Sequence, residues 1–149
     1  MAPELSDEKH VRVELTFPES RREELDLAWR EIIAVRRLRM DALNHEIAVI
    51  TERGMSALRI IESAIRRNPT TWQARRLVSF LAALYNGSDF PFDLAELRAL
   101  DTELANACLD YLNYDRLGRR EVHRHLSRGE RELHRWIDDY GIAPRTAAE

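Results

Sequence analysis

Val11, Val13, Leu15 and Phe17 alternate with polar residues in HVRVELTF, the period of a half-buried strand. Pro18 ends it. No second strand of this quality follows, and a single strand cannot satisfy its own backbone groups. Its edge, Val11 to Phe17, is therefore expected to meet its twin in a homodimer, the sheet of another protein, or a short strand elsewhere in the chain.

Helical periods take over from there. Ser20-Arg21-Arg22-Glu23 has the spacing of a capping box. Trp29, Ile33, Arg36, Met40, Leu43, Ile47 and Ile50 recur at a 4-3-4-3-4-3 spacing that only Arg36 interrupts. Ala28, Ile32, Val35, Ala42 and Val49 widen the stripe. This predicts a core helix with coiled-coil character over residues 19–53. About 33 residues would span about 50 Å, against a diameter of roughly 38 Å for a compact chain of this length. The helix is expected either to break near Asn44-His45 or to overhang and pair with another chain.

Gly54 reads as punctuation before a shorter helix, Met55 to Arg67, which Asn68-Pro69 stops. Thr70-Thr71-Trp72-Gln73 offers a second capping box. The helix it opens runs to about Tyr85 and ends at Asn86-Gly87. Asp93 can cap the next stretch, with Asp101 as a point of restart and Gly118 as its end. Glu121 to Tyr140 is helical again, with a break at Ser127-Arg128-Gly129-Glu130 and closure at Gly141. The expected fold is all-α: a bundle of about five helices with one N-terminal strand. Residues 1–10 are expected to be a disordered tail, 11–142 a single helical domain, and 143–149 a C-terminal tail.

Length and composition agree with one domain. The chain has 149 residues, 44% hydrophobic and 33% charged, which excludes wholesale disorder. Five Gly and five Pro argue against a turn-rich barrel or sandwich, and one Cys excludes a disulfide framework. The polar, acidic start MAPELSDEKH does not resemble a secretory signal. The longest uncharged run, Leu77 to Ser88, has twelve residues, where a membrane span needs roughly 18 or more. The expectation is a cytoplasmic protein without a membrane partner. The net charge of −3 announces no global affinity for nucleic acid.

The middle of the chain carries a resemblance. Gly54 with Ala57-Leu58, Arg75-Arg76, Phe80-Leu81, Ala83, Asn86, Asp93-Leu94, Leu97 and Asp101 resemble a family of uncharacterised bacterial proteins often carried on plasmids and integrative conjugative elements. The likeness covers roughly residues 54–117. It implies a small helical domain in a mobile-element setting, and no activity or catalytic residue.

Charge is unevenly placed. Arg116, Arg120, Arg124, Arg128, Arg131 and Arg135 are spaced 4, 4, 4, 3 and 4, one face of a continuous helix. Between Arg116 and Arg135 stand seven Arg and three Glu, a balance of +4. Such a stripe suits phosphates or an acidic protein surface; equally, Glu121, Glu130 and Glu132 could neutralise it from within. Arg53 to Arg76 carries +5 and Asp93 to Asp115 carries −5. These patches are expected to face each other or to steer a partner.

Other chemistries are weaker. His123 and His125, two apart, point about 200° apart on a helix, and no His-Glu-x-x-His occurs; no metal or cofactor is expected. There is no glycine-rich phosphate loop and no G-x-S-x-G. Cys108 lies among Leu104, Ala107, Tyr111 and Leu112 and reads as a buried, inert thiol. Glu130 after Gly129 and Arg119 after Gly118 spoil a helix-turn-helix. A strand followed by a capped helix resembles the opening of a ribbon-helix-helix protein, although that first helix is far too long.

The functional expectation is a non-enzymatic interaction or regulatory module. It would bind an acidic partner protein through the six arginines and dimerise through the strand edge of Val11, Val13, Leu15 and Phe17. The alternative is a DNA-binding regulator, either ribbon-helix-helix-like or an arginine-stripe phosphate binder.

Overall fold

The computed structural model describes residues 12–118 and 120–145. These form four α-helices with three short 3₁₀ turns. The helices are α1 (Arg22–Arg67), α2 (Trp72–Tyr85), α3 (Thr102–Asp115) and α4 (Gly129–Asp139). The turns are Glu19–Arg21, Leu94–Ala99 and Val122–Arg124. The chain divides into two units, one ending at Leu43 and one beginning at Asn44.

In the first unit, the expected strand is absent among the described residues. Arg12 to Phe17 has no regular structure, and Val11 and the proposed tail 1–10 lie outside the described residues. Val13 and Leu15 are 69% and 76% exposed, and Phe17 is also exposed. An alternating pattern becomes a strand only where a second edge accepts its hydrogen bonds, and the described residues supply none. The Ser20 capping box is replaced too. Pro18 opens the turn Glu19–Arg21, with Arg21 N donating to Pro18 O at 2.9 Å. Ser20 thus sits inside the turn and not ahead of the helix. Arg21 donates to Glu24 Oε2 at 2.7 Å, and its guanidinium lies 5.5 Å from the Phe17 ring centroid. Acidic Glu23 and Glu24 occupy the first turn of α1, where the helix dipole favours them.

Two expected breaks in α1 do not occur: the helix is continuous through Asn44-His45 and through Gly54. The two helices expected over 19–53 and 55–67 are therefore one, α1. The reading of the first half of α1 as core also needs correction. Trp29, Ile33, Met40 and Leu43 are exposed, and Ile47 and Ile50 are half-buried. Burial begins at Gly54 and continues through Ala57, Leu58, Ile61 and Ile65.

The core lies in the second unit. Leu58, Ile61 and Ile65 of α1 join Leu77, Val78 and Leu81 of α2, Tyr111 of α3, Val122, and Leu133 of α4, all fully buried. Each helix contributes an i, i+3, i+4 set, which places its apolar residues on one face. Gly54 explains how α1 and α3 come so close. A Cβ there would lie 2.8 Å from Tyr114 Cγ and closer still to Tyr114 Cβ. The glycine serves close packing, not helix termination.

Local signals fix the helix ends. Thr71, one residue later than the predicted cap, accepts from Ala74 N at 3.2 Å. Gln73 is thereby released for another role: it donates to Asp101 Oδ2 and accepts from Asp101 N, both at 2.8 Å. That pair ties the start of α2 to the N-cap of α3. Asp93 accepts from Ala95 N at 2.8 Å, opening a 3₁₀ turn where a longer helix was expected. The restart at Asp101 and the break at Gly129, with φ of 71°, both occur. Gly141 reverses the chain after α4 with φ of 59°. Beyond it, Arg145 N donates to Asp89 O at 2.7 Å, and residues 146–149 lie outside the described set.

Candidate interaction surfaces

The six arginines do not share one helix. α3 ends at Asp115, a 3₁₀ turn covers Val122–Arg124, and α4 begins only at Gly129. Gly118, with φ of 64°, separates Arg116 from the rest. The spacing of four therefore loses its meaning between Arg116 and Arg128, because it specifies a face only while the helix continues. Arg128, Arg131 and Arg135 do share a face, at the N-cap and in the body of α4. They line a surface hollow with His134 and Asp138. Arg120 and Arg124 line a different hollow with Asp115, Glu121 and Leu84.

All six arginines are exposed. Arg116 Nε donates to Asn113 Oδ1 at 2.6 Å. Arg128 and Arg135 stand 3.8 and 3.9 Å from Glu132 Oε1, and Arg135 is 4.0 Å from Asp139. These are long ion pairs at the surface, each worth little. The other carboxylates of the segment are engaged elsewhere: Glu121 with His123, and Glu130 with Tyr85 and His134. Among the described residues, Arg120, Arg124 and Arg131 form no ion pair.

The arginines that the fold does consume come from α1 and α2. Glu62 is 1% exposed, and its oxygens accept from Ser127 N at 2.7 Å, Ser127 Oγ at 2.8 Å, Arg66 at 3.3 Å, and Arg59. Glu132 is also buried, and Arg66 reaches it at 2.5 and 3.2 Å. Arg59 further donates to His125 O at 2.7 Å. Buried carboxylates need such partners, since an unpaired charge in the interior costs several kcal/mol, on the order of 3–5 when one partner is removed. The hydrogen bond to Glu132, chiefly, pushes the Arg66 pKa above its ordinary value. This network joins α1 to the segment around Ser127 and to α4. Sequence reading missed it, although Glu62 stands beside Leu58, Ile61 and Ile65 with arginines three before and four after it. A carboxylate inside an apolar stripe and flanked in this way is the signal that could have found it.

The basic and acidic segments meet at two points. Arg53 lies 3.3 Å from Asp110, and Arg76 pairs with Glu96 while stacking 4.4 Å from the Trp72 ring. The remaining partners are different: Arg59 and Arg66 turn to Glu62 and Glu132, and Arg75 donates to Tyr140 O at 2.5 Å.

The three histidines of this segment pack on two tyrosines. His134 and His123 each meet the Tyr85 ring edge-on, at 5.3 and 5.5 Å, and His125 packs on Tyr114 at 5.2 Å. Among the described residues no three His, Cys, Asp or Glu side chains converge as a metal site would require. Burial pushes the Cys108 thiol up to about 12, which leaves it as thiol at neutral pH. No helix among the described residues is long and apolar enough to cross a membrane.

Residues 55–141 match a family of unknown function, DUF7673. The chain belongs to that family. No curated protein and no solved structure matches it. The matched stretch overlaps the expected resemblance from residue 55 to 117, with Gly54 just outside it, and runs on through α4, covering the Glu62–Arg66–Glu132 network and all six arginines. It leaves out the exposed first half of α1.

Proposed function

We propose that this DUF7673 chain is a non-enzymatic protein-interaction module of a bacterial mobile element, acting in the cytoplasm on a partner with an acidic surface. One observation carries this reading. The fold uses Arg53, Arg59, Arg66 and Arg76 for its own carboxylates, yet leaves Arg120, Arg124 and Arg131 exposed and without an ion pair among the described residues. Planar guanidinium groups in that state suit bidentate capture of carboxylates. The broken helix divides them into an Arg120–Arg124 group and an Arg128–Arg131–Arg135 group, so the partner would be met over a surface and not along a single stripe.

The triple variant Arg120→Glu, Arg124→Glu, Arg131→Glu tests the reading. Affinity capture from the native host with wild-type protein should retain an acidic protein that the triple variant loses. Random duplex DNA is the second probe, in a salt titration. Steep salt-dependent DNA binding lost in the same variant would favour the phosphate-binding alternative. Capture unchanged by the three substitutions would overturn the proposal.

A further inference from the structure

The first half of α1 exposes a run of large apolar residues. Between Leu27 and Leu43 eight large apolar residues are exposed, among them Trp29 at 61% and Ile32 at 59%. Trp29, Ile32, Ile33, Met40 and Leu43 lie on one side of the helix; at roughly 100 Å² each, two copies would bury on the order of 1,000 Å² there, the lower end of specific interfaces, while Leu27, Val35 and Leu38 lie on other faces.

The seam through this surface includes two charges. Asp26, Trp29, Ile33, Arg36 and Met40 follow a 3-4-3-4 spacing, and all lie within α1. The ion pairs of the first unit are Arg12–Glu14 and Arg21–Glu24, so Asp26 and Arg36 have none among the described residues. Two apolar layers, Trp29 and Ile33, stand between them.

We infer that the occupant of this face is the same helix of a second copy, packed antiparallel about a two-fold axis near Glu31. In antiparallel coiled coils the two alternating seam positions of one helix face the opposite ones of the other. A two-fold axis at that place sets Trp29 against Ile33 of the second copy. It also sets Asp26 against Arg36, both pairs occurring twice. Flanking positions follow: Glu23 comes beside Arg37, and Ile32 meets its twin. The like-charge meeting is Arg30 with its twin, with Asp26 one turn away on each helix. A parallel pair would instead place Asp26 on Asp26 and Arg36 on Arg36 in the seam. Charge complementarity within one segment selects the antiparallel self-pair, and this inference does not rest on the arginines beyond α3.

Sedimentation equilibrium on the full chain, at about 50 µM and low salt, tests it with four proteins: wild type, Asp26→Arg, Arg36→Asp and the double exchange. Wild type should be a dimer, each single variant should weaken the dimer about tenfold or more, and the double exchange should recover it to within a few-fold. Recovery in the double variant also shows that loss in the singles is not failure to fold. A monomeric wild type, singles that dimerise unchanged (as a parallel pair would), or a double variant no better than the singles would each overturn the inference.

Discussion

Arg66 of α1 holds Glu132 of α4 through two hydrogen bonds, at 3.2 and 2.5 Å, while standing 3.3 Å from Glu62. One guanidinium thus serves two buried carboxylates. Arg66→Met keeps the stem's length and removes the charge, leaving Glu132 with only the distant Arg128 and Arg135. Because Arg66 is itself partly exposed, we expect a loss of about 2–3 kcal/mol, below that for a fully buried pair. Urea unfolding monitored by Trp136 fluorescence checks it; a loss under about 0.5 kcal/mol, the size of an ordinary surface pair, would contradict the structural role.

Gly54 and Tyr114 set the spacing of α1 and α3. Helix propensity alone predicts that Gly54→Ala gains about 1 kcal/mol. We expect instead a net loss on the order of 2 kcal/mol, because the added Cβ overlaps Tyr114. Tyr114→Ala in the same protein should not relieve it, since the overlap includes Tyr114 Cβ, which alanine keeps. Thermal unfolding of the two single variants and the double distinguishes these outcomes.

His125 should weaken the fold on mild acidification. Burial, chiefly, and then the charge of Arg120 hold its pKa below the ordinary 6.5. As pH falls through that value the unfolded chain takes up the proton before the folded one, so stability falls with pH. Above it the contribution vanishes. His125→Gln should make the decline in unfolding midpoint between about pH 7 and pH 5 shallower.

Cys108 should be silent in the native protein. It is fully buried and its thiol is pushed up to about 12. A thiol-specific disulfide reagent at neutral pH should react only as fast as the second unit opens. Reaction should become immediate in denaturant, and fast labelling of the folded chain would contradict the burial.

Much of this architecture is readable from residue order alone, because its causes are local. Asp101 as a point of restart, the break at Gly129 and the closure at Gly141 rest on caps and left-handed turns, which neighbouring residues specify. The apolar sets of α2 and of the second half of α1 become core, since a 3.6-residue period has the same meaning wherever the helix lies. Thr71 caps one residue later than the pattern suggests, within the tolerance of any helix boundary.

Other features depended on contacts between segments far apart in sequence, and only the tertiary structure decided them. Gly54 reads as a helix end until Tyr114 is found against it, sixty residues later. Glu62 reads as a surface residue until Ser127 and Arg66 surround it. The alternation from Val11 to Phe17 indicates a strand, but a strand forms only where another edge receives it. The arginine spacing implied one face because a helix was assumed to continue, and the turn at Gly118 ends it. Periodicity is a property of one segment and is written in the residues; burial and pairing belong to two segments at once, and no single stretch of sequence contains them.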